Sequence, residues 1–323
     1  MSEPLIVVPD DFPSVFKGTA AEERCRRLGE TRVFVERGAD GESELIRRLG
    51  GARIAINIRA HARFSDAVLD ACPRLQMISV WGTGTDNIDL ESAQRRDITV
   101  CNTAGVNASA VAEHTIALML AVARRIPRID HEMRAGAWPR EMLTQLLGKT
   151  LGVFGTGTIG MRVIALGRAL GMQVSAWSAR GDVARIAAAD ARAAPKDEIL
   201  READVVTLHL RLAPETRGFL GRRELSWMKQ SAILINTGRG ALVERSALLE
   251  ALGAGRLCAG LDVFHDEPLA AGDPILTLPN VVLSPHNAGQ TPEVVRDGLL
   301  RAVENIENFL HGRPSGVVAS PRA

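Results

Sequence analysis

The chain has 323 residues, 46% of them hydrophobic and 24% charged, a length and composition that suit two soluble domains, each able to bury its own core. Its 39 basic and 38 acidic residues leave a net charge of +1 and are scattered along the chain, so there is no electrostatic footprint for nucleic acid. The opening "MSEPLIVVPDD" lacks a basic n-region, and no stretch approaches about 18 consecutive apolar residues, so neither export nor a membrane partner is expected and the reading is cytoplasmic.

Short apolar runs alternate with helical patterns from the start: "LIVV" (5 to 8), "RVFVE" (32 to 36), "RIAINI" (53 to 58), "LQMISVW" (75 to 81) and "ITVCN" (98 to 102). That rhythm predicts βα units and a parallel sheet. Next comes "ASAVAEHTIALMLAVARR" (108 to 125), in which Glu113 and His114 are the only ionisable groups before Arg124. A helix apolar almost all round is expected to be buried, here between domains or subunits, and this burial predicts a homodimer. Glu113 and His114 read as a structural pair, with ligand contact as the alternative.

A second series follows with "LGVFG" (151 to 155), "QVSAW" (173 to 177), "DVVTLHL" (204 to 210), "AILIN" (232 to 236), "LCAGLDVF" (257 to 264) and "VVLS" (281 to 284). Two α/β sheets are expected, divided near residue 100. Cys25, Cys72, Cys101 and Cys258 are far apart and read as buried free thiols, and no cluster has metal-ligand spacing, so no metal is expected.

In "LGVFGTGTIGMRVIALGRAL", Gly155, Gly157 and Gly160 form GxGxxG directly after a strand and open a helix of apolar period. That context is the one a dinucleotide fingerprint requires. Gly155 permits a tight turn, Gly157 lets backbone approach a pyrophosphate, and Gly160 allows close packing of helix on strand. Thr156, Thr158 and Ile159 lie within the same cradle. The next strand should end in an acid that grips the ribose 2′-hydroxyl, but Ser178 stands there, followed by Arg180. A hydroxyl and a guanidinium accept a 2′-phosphate that a carboxylate repels, so the cofactor reading is NAD(P), with NADP favoured by Ser178 and Arg180 and NAD left open. Asp182 swinging back to the ribose is the alternative.

Three charged groups follow successive strands of this second sheet: Arg239 after "AILIN", Glu267 after "GLDVF" and His286 after "VVLS". Carboxyl ends of parallel strands are where α/β sheets bind ligands. Moving a hydride between nicotinamide and a 2-hydroxy acid gives each residue a task. Arginine's fixed fork holds the substrate carboxylate and polarises the carbonyl beside it. Histidine takes the hydroxyl proton on oxidation and returns it on reduction. Glutamate on the far ring nitrogen fixes the tautomer and stabilises the imidazolium.

The stretches "GTGTIG", "INTGRGALV", "LDVFHDEPL" and "LSPHNAG", with "WGTGTDNIDL" (81 to 90), "NTAGVNASAVAEH" (102 to 114) and "LLGKTLG" (146 to 152), resemble the D-isomer-specific 2-hydroxyacid dehydrogenase family over most of the chain. The resemblance implies that Arg239, Glu267 and His286 are the catalytic three, acting on a small 2-keto or D-2-hydroxy acid. It implies further that Asp262 binds the nicotinamide carboxamide, and that Leu208 to Leu210, including His209 and Leu210, with Thr237, Gly238, Ala288 and Gly289, line the cofactor. Thr83 and Gly84 would offer backbone N–H groups to the substrate carboxylate, and Arg59, in "NIRAHARF", is a further substrate candidate.

The implied architecture is α/β with two doubly wound parallel-sheet domains, a Rossmann cofactor domain (101–286) inserted in a flavodoxin-like substrate domain (1–100 plus 287–323). A last helix, about residues 290 to 311, rejoins the first domain. Ser178 departs from the family's usual Asp, Asn287 stands where an apolar residue is common, and His265 stands where an acid is frequent. His61, His131, His209 and His311 have no partner nameable from sequence. The competing reading is a nicotinamide-sensing binding protein, as in the family's C-terminal-binding-protein corepressors; retention of all three catalytic groups favours the enzyme.

Overall fold

A computed structural model describes residues 3–59 and 61–320. The chain divides into two compact units, one of Met1–Asn107 with Gln290–Ala323 and the other of Ala108–Gly289. Each is built on one sheet.

In the first unit the strands are β1 (Leu5–Val8), β2 (Glu30–Val33), β3 (Ile54–Asn57), β4 (Met77–Val80) and β5 (Thr99–Asn102). They lie in the order β5-β4-β3-β1-β2, all parallel, and the winding reverses at β1. This is the doubly wound, flavodoxin-like order. β3 and β4 are buried at every position, as strands covered on both faces must be. One core packs on one face around Leu45, Phe64, Ile78 and Val100; the other face carries Ile6, Ile54, Met77 and the last helix, Pro292–Leu310, through Leu299, Val303 and Ile306. The Ser79 hydroxyl donates to the Ala302 carbonyl at 2.8 Å beneath that helix.

The second unit contains β6 (Thr150–Phe154), β7 (Gln173–Trp177), β8 (Arg192–Ala193), β9 (Val205–Leu208), β10 (Ala232–Asn236), β11 (Leu257–Leu261) and β12 (Val281–Leu283). Its order is β12-β11-β10-β9-β6-β7-β8, parallel throughout, with the winding reversing between β6 and β9. That is the Rossmann order extended by one strand. A thirteenth strand, β13 (Val317–Ala319), belongs to the first unit and pairs antiparallel with β5.

The helix Ala108–Ala123 lies wholly within the second unit, packed on β10, β11 and the helix Thr158–Ala169. Gly260 permits the approach, because a Cβ there would sit 3.1 Å from the Leu118 Cβ. In the helix expected to lie between domains or subunits, Ala112, Leu118, Met119 and Val122 are buried in a core shared with the unit's own sheet. Their burial therefore carries no argument for a dimer. No helix among the described residues is long and apolar enough to cross a membrane.

Candidate active site

Parallel strands point the same way, so the residues that follow β6, β9, β10, β11 and β12 gather along one edge of the second sheet. At the end of β10, the buried side chain of Asn236 braces the turn that follows it: its Nδ2 donates to the Arg239 carbonyl at 2.9 Å, and its Oδ1 accepts from the Gly238 N–H at 3.0 Å. This Asx-type clamp fixes where Arg239 leaves the sheet. Gly240 admits no side chain, since a Cβ would lie 2.1 Å from the Phe264 carbonyl carbon. The loops after β10 and β11 are thus pressed together, Arg239 in one and Glu267 in the other.

Glu267 has two partners. Its Oε1 accepts from the Phe264 N–H at 2.8 Å, and its Oε2 lies 2.7 Å from Nδ1 of His286. Burial alone would raise this carboxyl, but the hydrogen bond and charge of His286, the Phe264 N–H and the charge of Arg239 together hold it below the usual carboxylate range. The Arg239 guanidinium donates to the Gly238 carbonyl at 2.8 Å through Nη1 and stays half-buried. The structure therefore brings Glu267 and His286 into contact and sets the charge of Arg239 close enough to act on Glu267.

His286 sits at φ 57°, in the left-handed region that a histidine enters only when its surroundings hold it there. What holds it is Asp262, which is fully buried. The Asp262 carbonyl accepts the His286 N–H at 2.8 Å, its Oδ1 accepts the Asn287 N–H at 2.8 Å, and its Oδ2 accepts the Ala288 N–H at 3.0 Å. The Ser284 hydroxyl also donates to Oδ1 and lies 2.8 Å from Nε2 of His114. His114 thus pairs with Ser284 rather than with Glu113. The enclosed Asp262 carboxylate meets two backbone donors and a hydroxyl. Asp262 thus supports the turn that presents His286. Ala288 is buried and Gly289 half-buried in that turn.

The glycine-rich turn follows β6. Gly155 has φ 102°, and a Cβ there would lie 2.4 Å from the His209 carbonyl. At Gly160 a Cβ would fall 1.9 Å from the Gly155 carbonyl oxygen, so the helix can sit this close to the strand only without a side chain. Gly157 faces open space and begins the helix Thr158–Ala169 with no side-chain cap. The first N–H groups of that helix, around the exposed Thr158 and half-buried Ile159, are left for an anion, which is what a pyrophosphate requires. The residues present fit a dinucleotide.

Around this cradle, the Thr156 hydroxyl donates to Asp182 Oδ2 at 3.0 Å, and so does the Ser178 hydroxyl at 3.0 Å. The Arg180 N–H donates to Ser178 Oγ at 3.2 Å, and the Arg180 side chain is exposed. His209 has an enclosed ring whose Nε2 meets no partner, and burial pushes it down to about 4, so it is neutral. Leu210 beside it is half-buried. Thr237 bonds the Thr115 hydroxyl at 2.9 Å, and Gly238 packs so closely that a Cβ would lie 3.0 Å from Leu242.

In the other unit, Thr83 is exposed and its carbonyl accepts from Asn102 Nδ2 at 2.8 Å, with Gly84 half-buried beside it. The Arg59 guanidinium lies 5.9 Å from the Trp81 ring centroid and bonds the Pro13 carbonyl, and burial lowers its pKa. His61 lies 3.1 Å from Asp10 and 3.6 Å from Asp40, the one group among the described residues with the reach of a metal site. Asp10 already accepts the N–H groups of Phe12, Gly38 and Ala39, and Asp40 pairs with Arg37, so the group reads as loop bracing. His265 bonds the Val243 carbonyl at 2.7 Å, and His311 the Glu307 carbonyl at 2.7 Å.

Sequence reasoning missed Asn236 and Ser284. Each is a polar residue at the end of an apolar strand, and that position was the available signal.

Residues 116–288 match the model of the D-isomer specific 2-hydroxyacid dehydrogenase NAD-binding domain. The chain is similar to a glyoxylate reductase of Aeropyrum pernix, 42% identical over 76% of both chains, and to a D-3-phosphoglycerate dehydrogenase of Archaeoglobus fulgidus, 38% identical over 87% of this chain. It spans about half the length of that phosphoglycerate dehydrogenase, 54%. Among solved structures it is similar to an acyclic imino acid reductase in complex with NADPH and D-Arg, with a TM-score of 0.89, 29% identity and coverage of 97% of this chain and 99% of that one. A site built on adjoining strand ends beside a dinucleotide cradle thus agrees with sequence kinship over most of the length, and the chain belongs to the D-isomer-specific 2-hydroxyacid dehydrogenase family.

Proposed function

We propose that this chain interconverts a small 2-keto acid and the D-2-hydroxy acid, with His286 as the acid/base, Glu267 orienting it and Arg239 holding the substrate carboxylate. The observation that carries the proposal is the 2.7 Å contact between Glu267 Oε2 and His286 Nδ1. With Nδ1 committed to the carboxylate, Nε2 is the nitrogen that exchanges a proton with substrate.

In reduction, His286 donates its Nε2 proton to the carbonyl oxygen as that oxygen takes on negative charge, and Glu267 stabilises the imidazolium beforehand. In oxidation, the neutral imidazole removes the hydroxyl proton. Arg239 binds the carboxylate with two parallel N–H groups and draws electron density from the adjoining carbonyl. The nicotinamide, when bound, supplies or accepts the hydride. Gly155, Thr156, Gly157, Thr158, Ile159 and Gly160 would hold the pyrophosphate through backbone N–H groups, and Ser178, Arg180 and the His209–Leu210 and Thr237–Gly238 stretches would line the dinucleotide.

On this reading the unit Ala108–Gly289 is the cofactor domain, and the other unit carries substrate recognition through Arg59, Thr83 and Gly84. The similarity to a glyoxylate reductase puts short, unbranched 2-keto acids first. We also propose a homodimer, on a new ground: Trp138 is 74% and Met142 95% exposed in the segment 126–147, where Ile126, Met133 and Leu147 are exposed too.

The test is a panel of 2-keto acids, beginning with glyoxylate, run with NADH and with NADPH. Turnover with a short 2-keto acid supports the reading. Dinucleotide binding with no turnover on any member contradicts it and favours a nicotinamide sensor.

A further inference from the structure

The strand β7 ends at Trp177, and the next residue, Ser178, occupies the place from which a dinucleotide fold usually reaches the adenosine ribose with an acid. This chain has its acid four positions later, at Asp182. The carboxylate does not point away from the site. Its Oδ2 accepts one hydrogen bond from Ser178 Oγ and one from Thr156 Oγ1, each at 3.0 Å. Thr156 lies inside the glycine-rich turn and is buried, whereas Ser178 ends the neighbouring strand. The Asp182 carboxylate is therefore tied at once to the phosphate-binding turn and to the ribose position. It also lines a cavity of about 210 Å³ with Trp177, Ser178, Val183, Ala194 and Pro195.

Those two hydroxyl donors, helped by the charges of Arg185 and Arg180, hold Asp182 below its ordinary value, so it is ionised at neutral pH. Arg180 and Arg185 are the features that would draw in a 2′-phosphate, but both already act on a carboxylate. The Ser178 hydroxyl, read from sequence as a phosphate contact, spends its proton on that same carboxylate.

We propose that Asp182 replaces the missing strand-end acid and makes this chain prefer NAD(H) to NADP(H). This inference rests on the reading of the second unit as the cofactor domain. One carboxylate oxygen is held by Ser178 and Thr156, and the carboxylate accepts the ribose hydroxyls of NAD(H). A 2′-phosphate of about −1.5 to −2 charge at the same place meets a fixed negative charge and finds its hydroxyl donors taken.

The test is direct binding, by isothermal titration of NADH and of NADPH into wild type, Asp182→Asn and Asp182→Ala, with thermal melts alongside. Wild type should bind NADH on the order of 100-fold more tightly than NADPH. In Asp182→Ala the ratio should fall by about tenfold or more, with NADH weakened and NADPH strengthened. Asp182→Asn, which keeps the shape and removes the charge, should move the ratio the same way and covers the case in which the alanine variant fails to fold. Wild type binding NADPH as tightly as NADH overturns the proposal, as does an unchanged ratio in the variants. Binding of neither dinucleotide to wild type overturns the cofactor reading beneath it as well, so the two failures look different.

Discussion

The backbone N–H of His286 donates to the carbonyl of Asp262 at 2.8 Å, and the Asp262 carboxylate takes the N–H groups of the two residues that follow. A histidine at φ 57° is thus held by a fully buried acid on the neighbouring strand end. Asp262→Ala leaves the Asn287 and Ala288 donors without that acceptor, at a cost on the order of 3 kcal/mol. A thermal midpoint lowered by roughly 6–12 °C is expected by scanning calorimetry. Asp262→Asn keeps one acceptor oxygen and should lose less. A midpoint unchanged in both variants would contradict the anchoring role.

The glycine-rich turn separates folding from binding. Gly157 faces open space, so Gly157→Ala should fold with its thermal midpoint nearly unchanged but bind dinucleotide more weakly, because its methyl group stands where the pyrophosphate approaches. Gly160→Ala drives a Cβ to within 1.9 Å of the Gly155 carbonyl oxygen and should lower the midpoint itself. Melts and NADH titrations on the two variants distinguish these outcomes; equal stability losses would refute the distinction.

The pairing of Glu267 with His286 has a sign in pH. Glu267 is held below its ordinary 4.5 in the folded chain, so its contribution to stability is complete above that value and disappears as pH falls through the lowered one. Denaturant titrations from about pH 6 to pH 3 should show wild type losing more unfolding free energy than Glu267→Gln. Parallel curves would mean the contact contributes nothing.

The exposed apolar side chains of the segment 126–147 predict self-association. Light scattering at micromolar concentration should report a dimer for wild type, and Trp138→Asp with Met142→Asp should release monomers whose melting is little changed. A monomeric wild type contradicts the dimer.

Much of the fold was legible because parallel strands covered on both faces read as continuous apolar runs. "AILIN" and "DVVTLHL" announce β10 and β9 without help from their surroundings. β8 was not legible, since Arg192–Ala193 is too short to carry a period, and β13 owes its pairing to β5, far away in sequence. Among site residues, Arg239, Glu267 and His286 stand out as charged groups after apolar strands. The contacts that organise them do not. Nothing in "LDVF" tells that Asp262 gathers the N–H groups of Asn287 and Ala288, and only the fold brings Asp182 back to Ser178 and Thr156. The near-uniform apolarity of the helix Ala108–Ala123 announced burial without saying against what; Leu118, Met119 and Val122 meet the sheet of their own unit.

The central claim is that His286, fixed by Glu267, moves the proton. The most direct test is the kcat of His286→Asn for reduction of a 2-keto acid at saturating NADH, with the Kd for NADH measured on the same preparation. The account predicts a kcat lowered by about 10²- to 10⁴-fold with NADH binding unchanged. A variant that binds NADH and turns over at the wild-type rate would contradict it.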